Sequence, residues 1–350
     1  MGRLIALWVL GAGITATSPE GPSLHRYQFT QVAMAVPIRI ILYAPNEATA
    51  NRAAEAAFQR FEELDKVFSD YNPHSEARRL GNLSGQGRAV PVSCEMWEVL
   101  VRAQHLAAQT GGAFDVTVGP LVRLWRRARR QKELPPSWRL EQFRQLVGYR
   151  LLRLDGAAKT VELTRKGMRL DFGGIAKGYG IDQALKVLRR HGIASALVDA
   201  GGDIGLGSPP PGKPGWIIGV ASLDPKGKPS IYLYLSGRAI ATSGDSRQFV
   251  HIGGRRYSHL VDPRTGQALT DHSSVTVIAP DATTADALAS AISVLGPEKG
   301  LALVERLPDT AAYVVRAPAG RIERYQSARW PDPPTLKPRE RLPGRCGAAG

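Results

Sequence analysis

The sequence predicts an α+β fold: one large mixed α/β unit, which its length also allows to divide into two lobes. Three observations carry this. A β-branched run with partly alternating apolar positions (28–43) reads as a strand, while residues 46–67 repeat apolar side chains every three or four positions, as a helix does. Later strands and helices do not alternate in strict βαβ order, which disfavours a doubly wound parallel sheet. With 350 residues, 43% hydrophobic and 22% charged, the chain can bury one large core or two smaller ones.

In chain order, Val32, Val36, Ile38, Ile40 and Leu42 mark the first strand, and Ala53, Ala57, Phe58, Phe61, Leu64 and Val67 mark the first helix. A second helix is expected over 93–110, stopped by Gly111-Gly112. Two short strands joined through Asp155-Gly156 fall within 151–170, and a helix follows over 180–191. Strands are then expected over 194–198, 216–221, 230–235, 239–243, 257–261 and 274–278, and helices over 284–294 and 297–307. From about residue 327 proline and arginine dominate without periodicity, so residues 327–350 are expected to form a disordered basic tail.

Net charge is +15, but it is uneven. Six of the ten residues from 123 to 132 are basic, and such runs usually form solvated faces. No interleaved aromatic–basic motif supports nucleic acid as a partner. Cys94 and Cys346 have no metal-ligand or CxxC spacing. Residues 1–22, with Arg3 followed by an apolar run and small residues near Ala16, read as an export signal, so a periplasmic or inner-membrane-associated protein is expected.

Four loops set acids or a histidine beside glycines at element ends, where sites tend to be built. In Asp171-Phe172-Gly173-Gly174-Ile175-Ala176-Lys177-Gly178 the glycines and a following helix N-terminus suit a phosphate, and Lys177 adds a mobile positive charge. Gly111-Gly112-Ala113-Phe114-Asp115 and Ala241-Thr242-Ser243-Gly244-Asp245 share the same character. His259, just before an Asp262-Pro263 turn, has the residue type to take a proton near neutral pH. Asp286 and Ser290, four apart on a helix, can offer oxygens to a hard cation.

In their order, segments 68–76, 110–121, 171–182, 241–245, 256–266 and 274–300 resemble the ApbE family of flavin transferases, which use FAD to attach FMN to a target protein. The likeness spans about residues 28–325. It implies a single catalytic domain of that type and a reaction in which Mg²⁺ and Lys177 neutralise the FAD pyrophosphate, a Ser or Thr hydroxyl of an acceptor flavoprotein attacks the FMN phosphorus, and AMP leaves. By motif position His259 is the base. Asp286, Ser290 and the Gly174 backbone oxygen are the Mg²⁺ ligands, and Met34, Tyr71, Ala113, Phe114, Asp115, Asp171, Lys177 and Leu260 contact FAD. The chain departs from the family at Ala35-Val36, where Gly-Thr is frequent, and at Ser290, where threonine is common and the hydroxyl is kept. The alternative is a protein that binds or hydrolyses FAD without a protein acceptor.

Overall fold

The computed structural model describes residues 23–224, 227–229, 231–245 and 248–332. The expected export segment and the tail beyond residue 332 lie outside the described residues. Among the described residues the centre is an eight-stranded sheet in which every neighbouring pair is antiparallel and the strands follow one another in chain order. These strands are His25–Ala33, Val36–Ala44, Ala196–Ala200, Asp203–Leu206, Ala239–Gly244, Ser273–Ala279, Ala311–Arg316 and Glu323–Gln326.

Period-two alternation sorts the sheet's side chains into two cores. Ile38, Ile40, Leu42, Val198, Val275, Val277 and Val314 face one side. Ile41, Leu197, Ile278, Tyr313 and Val315 face the other. The first side is covered by helices α1 (Glu47–Phe68), α6 (Ala176–Arg190) and α7 (Ala282–Leu295), and α6 touches both of the others. The second side is covered by a separate hairpin, Trp216–Val220 paired with Ile231–Leu235, which turns Trp216, Ile218, Val220, Leu233 and Leu235 inward. Three layers result.

Local chemistry starts and stops the helices. Asn46 accepts the Thr49 N–H at the start of α1, which buries Ala50, Ala53, Ala57, Phe61, Leu64 and Phe68 along one stripe. Ser75 caps α2 (Glu76–Asn82) and Ser93 caps α3 (Cys94–Gln109) in the same way. The buried Glu76 carboxylate accepts from the Ser93 backbone N–H at 2.7 Å, tying the two helix starts together. Two further helices, α4 (Gly119–Gln131) and α5 (Ser137–Arg144), lead to a small sheet of Val90–Pro91, Thr160–Leu163 and Leu152–Asp155. Helix α8 (Pro297–Glu305) precedes the last two sheet strands.

Four expectations are corrected. Segment 28–43 is two strands, because Met34 and Ala35 both take positive φ (48° and 62°) and reverse the chain without the glycine that usually marks such a turn. The basic run 123–132 lies mostly on α4, whose Leu121, Leu124, Trp125 and Ala128 are buried while Arg126 and Arg129 turn into a cavity. The strand at 257–261 lies earlier, at Arg255–Ser258, so His259 follows its end. The packed unit also continues past residue 325 into the expected tail. The Ser327 hydroxyl accepts the Ala312 N–H, Arg329 donates to the carbonyls of Val304, Leu307 and Thr310, and Trp330 stacks on Tyr313 with ring centroids 5.2 Å apart.

Candidate active site

Helices α6 and α7 cross at Gly178. A Cβ at that position would collide with the Ala282 backbone carbonyl, so only glycine permits the contact. One turn further along α6, the Asp182 carboxylate accepts the backbone N–H groups of Ala282 (2.8 Å) and Thr283 (2.9 Å) and the Thr283 hydroxyl. Asp281 accepts the Thr284 N–H (2.9 Å). Two carboxylates therefore serve the start of α7.

This crossing sets Asp286 beneath the first turn of α6, where its carboxylate accepts the Gly178 N–H at 3.2 Å. The helix end expected to receive a phosphate is thus served by the protein's own acid, and Gly178 packs helix on helix rather than backbone on ligand. Lys177 is held as well. Its ammonium donates to Asp203 and lies 3.4 Å from Asp286. Burial pushes the Asp286 carboxyl up to about 7, with Lys177 opposing the rise and Asp203 adding to it. Burial works against the Lys177 charge, yet Asp286 and Asp203 together keep its pKa above the ordinary value.

With both carboxylates ionised, this group holds two negative charges and one positive, so a further cation relieves it. Gly174 lies close to Ser290: a Cβ on Gly174 would stand 2.7 Å from the Ser290 hydroxyl. Among the described residues no group of three or more His, Cys, Asp or Glu side chains could hold a metal ion. One carboxylate with neutral oxygens suits Mg²⁺, which keeps waters and shares its remaining positions with substrate phosphates. Asp286 and Ser290, one turn apart on α7, and Gly174 beside Ser290 are the residues that could offer such a set of oxygens.

His259 is half-buried and lines the same cavity. Its Nδ1 lies 3.2 Å from the Gln248 carbonyl oxygen, which can only accept, so Nδ1 carries the proton and Nε2 keeps a free lone pair. Burial lowers its pKa to about 4, helped by the charges of Arg129 and Lys177 and opposed by the Gln248 carbonyl and Asp245. The imidazole is neutral across the physiological range.

Asp171 accepts the Gly173 N–H at 2.9 Å and pairs with Arg126 at 3.2 Å, and Arg126 also pairs with Asp70 and lies 4.8 Å from the Tyr71 ring centroid. Burial raises the Asp171 carboxyl, partly offset by Arg126. Asp115 is buried and accepts from the Thr117 N–H (2.8 Å) and hydroxyl (2.6 Å), while the turn carrying Ala113 and Phe114 is held by Thr110, whose hydroxyl accepts the Phe114 N–H at 3.2 Å.

All of these walls enclose one cavity of about 1310 Å³. Met34, Tyr71, Ala113, Phe114, Asp115 and Asp171 line it together with Gly174, Lys177, His259, Leu260, Asp286 and Ser290, so the structure brings every sequence-marked site residue to one place. Sequence reasoning missed Asp203, Arg126 and Arg129. Asp203 carried a signal, since it closes the turn Asp199-Ala200-Gly201-Gly202-Asp203.

A family model described as the ApbE family matches residues 34–314. The chain belongs to the ApbE family. The "FAD:protein FMN transferase" of Treponema pallidum (strain Nichols) is 33% identical over 327 residues, covering 87% of this chain and 90% of that protein. That of Vibrio cholerae serotype O1 is 34% identical over 273 residues, covering 76% and 80%. Among solved structures, the "Flavin Transferase ApbE from Vibrio cholerae" superposes with a TM-score of 0.78 at 28% identity, over 87% of this chain and 98% of that one. The ApbE protein of Thermotoga maritima superposes with a TM-score of 0.77 at 32% identity, over 86% and 97%. The ApbE fold therefore accounts for the layered sheet.

Proposed function

We propose that this chain is an FAD:protein FMN transferase: it moves the FMN half of FAD onto a Ser or Thr hydroxyl of an acceptor protein through a phosphoester bond and releases AMP. The observation that carries this reading is a neutral imidazole with a free Nε2 sharing one large cavity with a lysine between two buried carboxylates. Family membership and the names of the relatives support it.

His259 Nε2 takes the acceptor hydroxyl proton as that oxygen attacks the FMN phosphorus. The new P–O bond forms as the pyrophosphate bridge breaks, and the leaving oxygen departs with AMP. Lys177 donates to phosphate oxygens, and its two carboxylates hold it charged and aimed. Met34, Tyr71, Phe114 and Leu260 give the aromatic rings of FAD apolar faces, while Ala113 and Asp171 border them. Asp286, Ser290 and the Gly174 carbonyl would hold Mg²⁺, which when bound neutralises phosphate charge. The apolar run after Arg3 supports export and an acceptor in the periplasm or at the inner membrane.

The test is incubation with FAD, Mg²⁺ and an acceptor domain. Covalent flavin fluorescence that survives denaturing electrophoresis is expected. AMP release without labelled protein across several acceptors would select FAD hydrolysis instead.

A further inference from the structure

We infer that Arg129 is a further substrate-contacting residue, which binds phosphate oxygens of the dinucleotide beside His259; this rests on the transferase reading above. Helix α4 is locked to the histidine loop. Trp125 donates its indole N–H to the Gly266 carbonyl at 2.8 Å and stacks on Tyr257 with centroids 5.4 Å apart, while Leu121, Trp125, Ala128, Tyr257 and Val261 form one apolar cluster. Arg129 follows Trp125 by one helical turn, so the same docking carries its guanidinium into the cavity.

Its neighbour Arg126 already has anions, pairing with Asp70 and Asp171. Arg129 has none among the described residues, and its Nη1 is shielded from water without a hydrogen-bond partner. A shielded guanidinium nitrogen left without an acceptor is costly. Burial and the like charge of Arg126 both lower its pKa, while its own charge helps keep His259 neutral. An oxyanion entering the cavity would give the unpaired Nη1 an acceptor and offset the like charge of Arg126. A guanidinium fork matches phosphate geometry and stays charged at any working pH.

Two sources of oxyanion are chemically alike here: the FAD phosphates and a carboxylate on the acceptor. The experiment separates them by measuring FAD affinity with no acceptor present, in the wild-type chain, Arg129→Gln and Arg129→Lys. For Arg129→Gln we expect FAD affinity about tenfold weaker, loss of competition by inorganic pyrophosphate and a melting temperature no lower than wild type, because the removed charge has no partner in the free protein. Arg129→Lys is expected to restore part of the affinity. Unchanged FAD affinity overturns the inference, as does a rise in acceptor KM alone, which would assign Arg129 to the acceptor. Failure of the wild-type chain to transfer flavin would instead overturn the transferase reading, so the two failures are told apart.

Discussion

Lys177 is the cation between two buried carboxylates. Lys177→Met leaves Asp203 and Asp286 facing each other under cover, and a loss of about 3 kcal/mol in urea unfolding is expected. Adding Asp203→Asn to that variant is expected to recover part of the loss, which a double-mutant cycle reads directly. His259→Ala is expected to cut kcat by about 10² to 10⁴ while FAD still binds. Because the folded imidazole titrates near 4 rather than 6.5, it is unprotonated above that pH, so the limb of the kcat/KM profile that His259 sets is expected near 4, and any decline between pH 8 and 6 reports Asp286, raised to about 7, rather than the imidazole. Ala35, with φ of 62°, has a conformation that favours glycine. Ala35→Gly is expected to raise stability by about 1 kcal/mol in thermal melts.

At the scale of elements, the crossing of α6 and α7 decides whether the site exists. Gly178→Ala is expected to push the helices apart, costing about 2 kcal/mol or more on unfolding and lowering transfer activity further than the stability loss explains, since Asp286 moves with α7. The glycines of 173–178 were legible as a special segment, but their work was not. Sequence spacing shows that backbone comes close to something and does not show whether that partner is a ligand, the Ser290 hydroxyl or a helix. Helix α4 was obscured for a related reason. Its arginines outnumber its apolar residues along the run, so a solvated face was the simpler reading. Only the burial of Trp125 against Gly266 and Tyr257 reveals that Arg126 and Arg129 point inward. Helical spacing puts Asp286 and Ser290 on one face, but an acid in a helix's first turns usually just serves its dipole, so the pair was legible as a site only through the ApbE resemblance.

For the whole molecule, the α+β class was legible from period-two strands that fail to alternate with helices. Most of the long helices were legible too, because their apolar stripes and caps are local. Strands such as Asp203–Leu206 and Glu323–Gln326 were not, being four residues each and drawing their stability from neighbours across the sheet. The end of the packed unit was hidden by its proline-rich composition, which says nothing of Trp330 closing over Tyr313. Trp330→Ala is expected to cost about 3 kcal/mol in denaturant unfolding, and a chain ending at residue 326 should lose at least as much. The sheet's agreement with chain order has one long interruption: Val36–Ala44 waits for Ala196–Ala200, about 150 residues later in the chain. At ordinary rates of synthesis the partner emerges from the ribosome about ten to thirty seconds after the first hairpin. Through that interval the nascent chain carries an open strand edge bearing Ile38, Ile40 and Leu42, a natural target for chaperones and the point at which translation and aggregation compete.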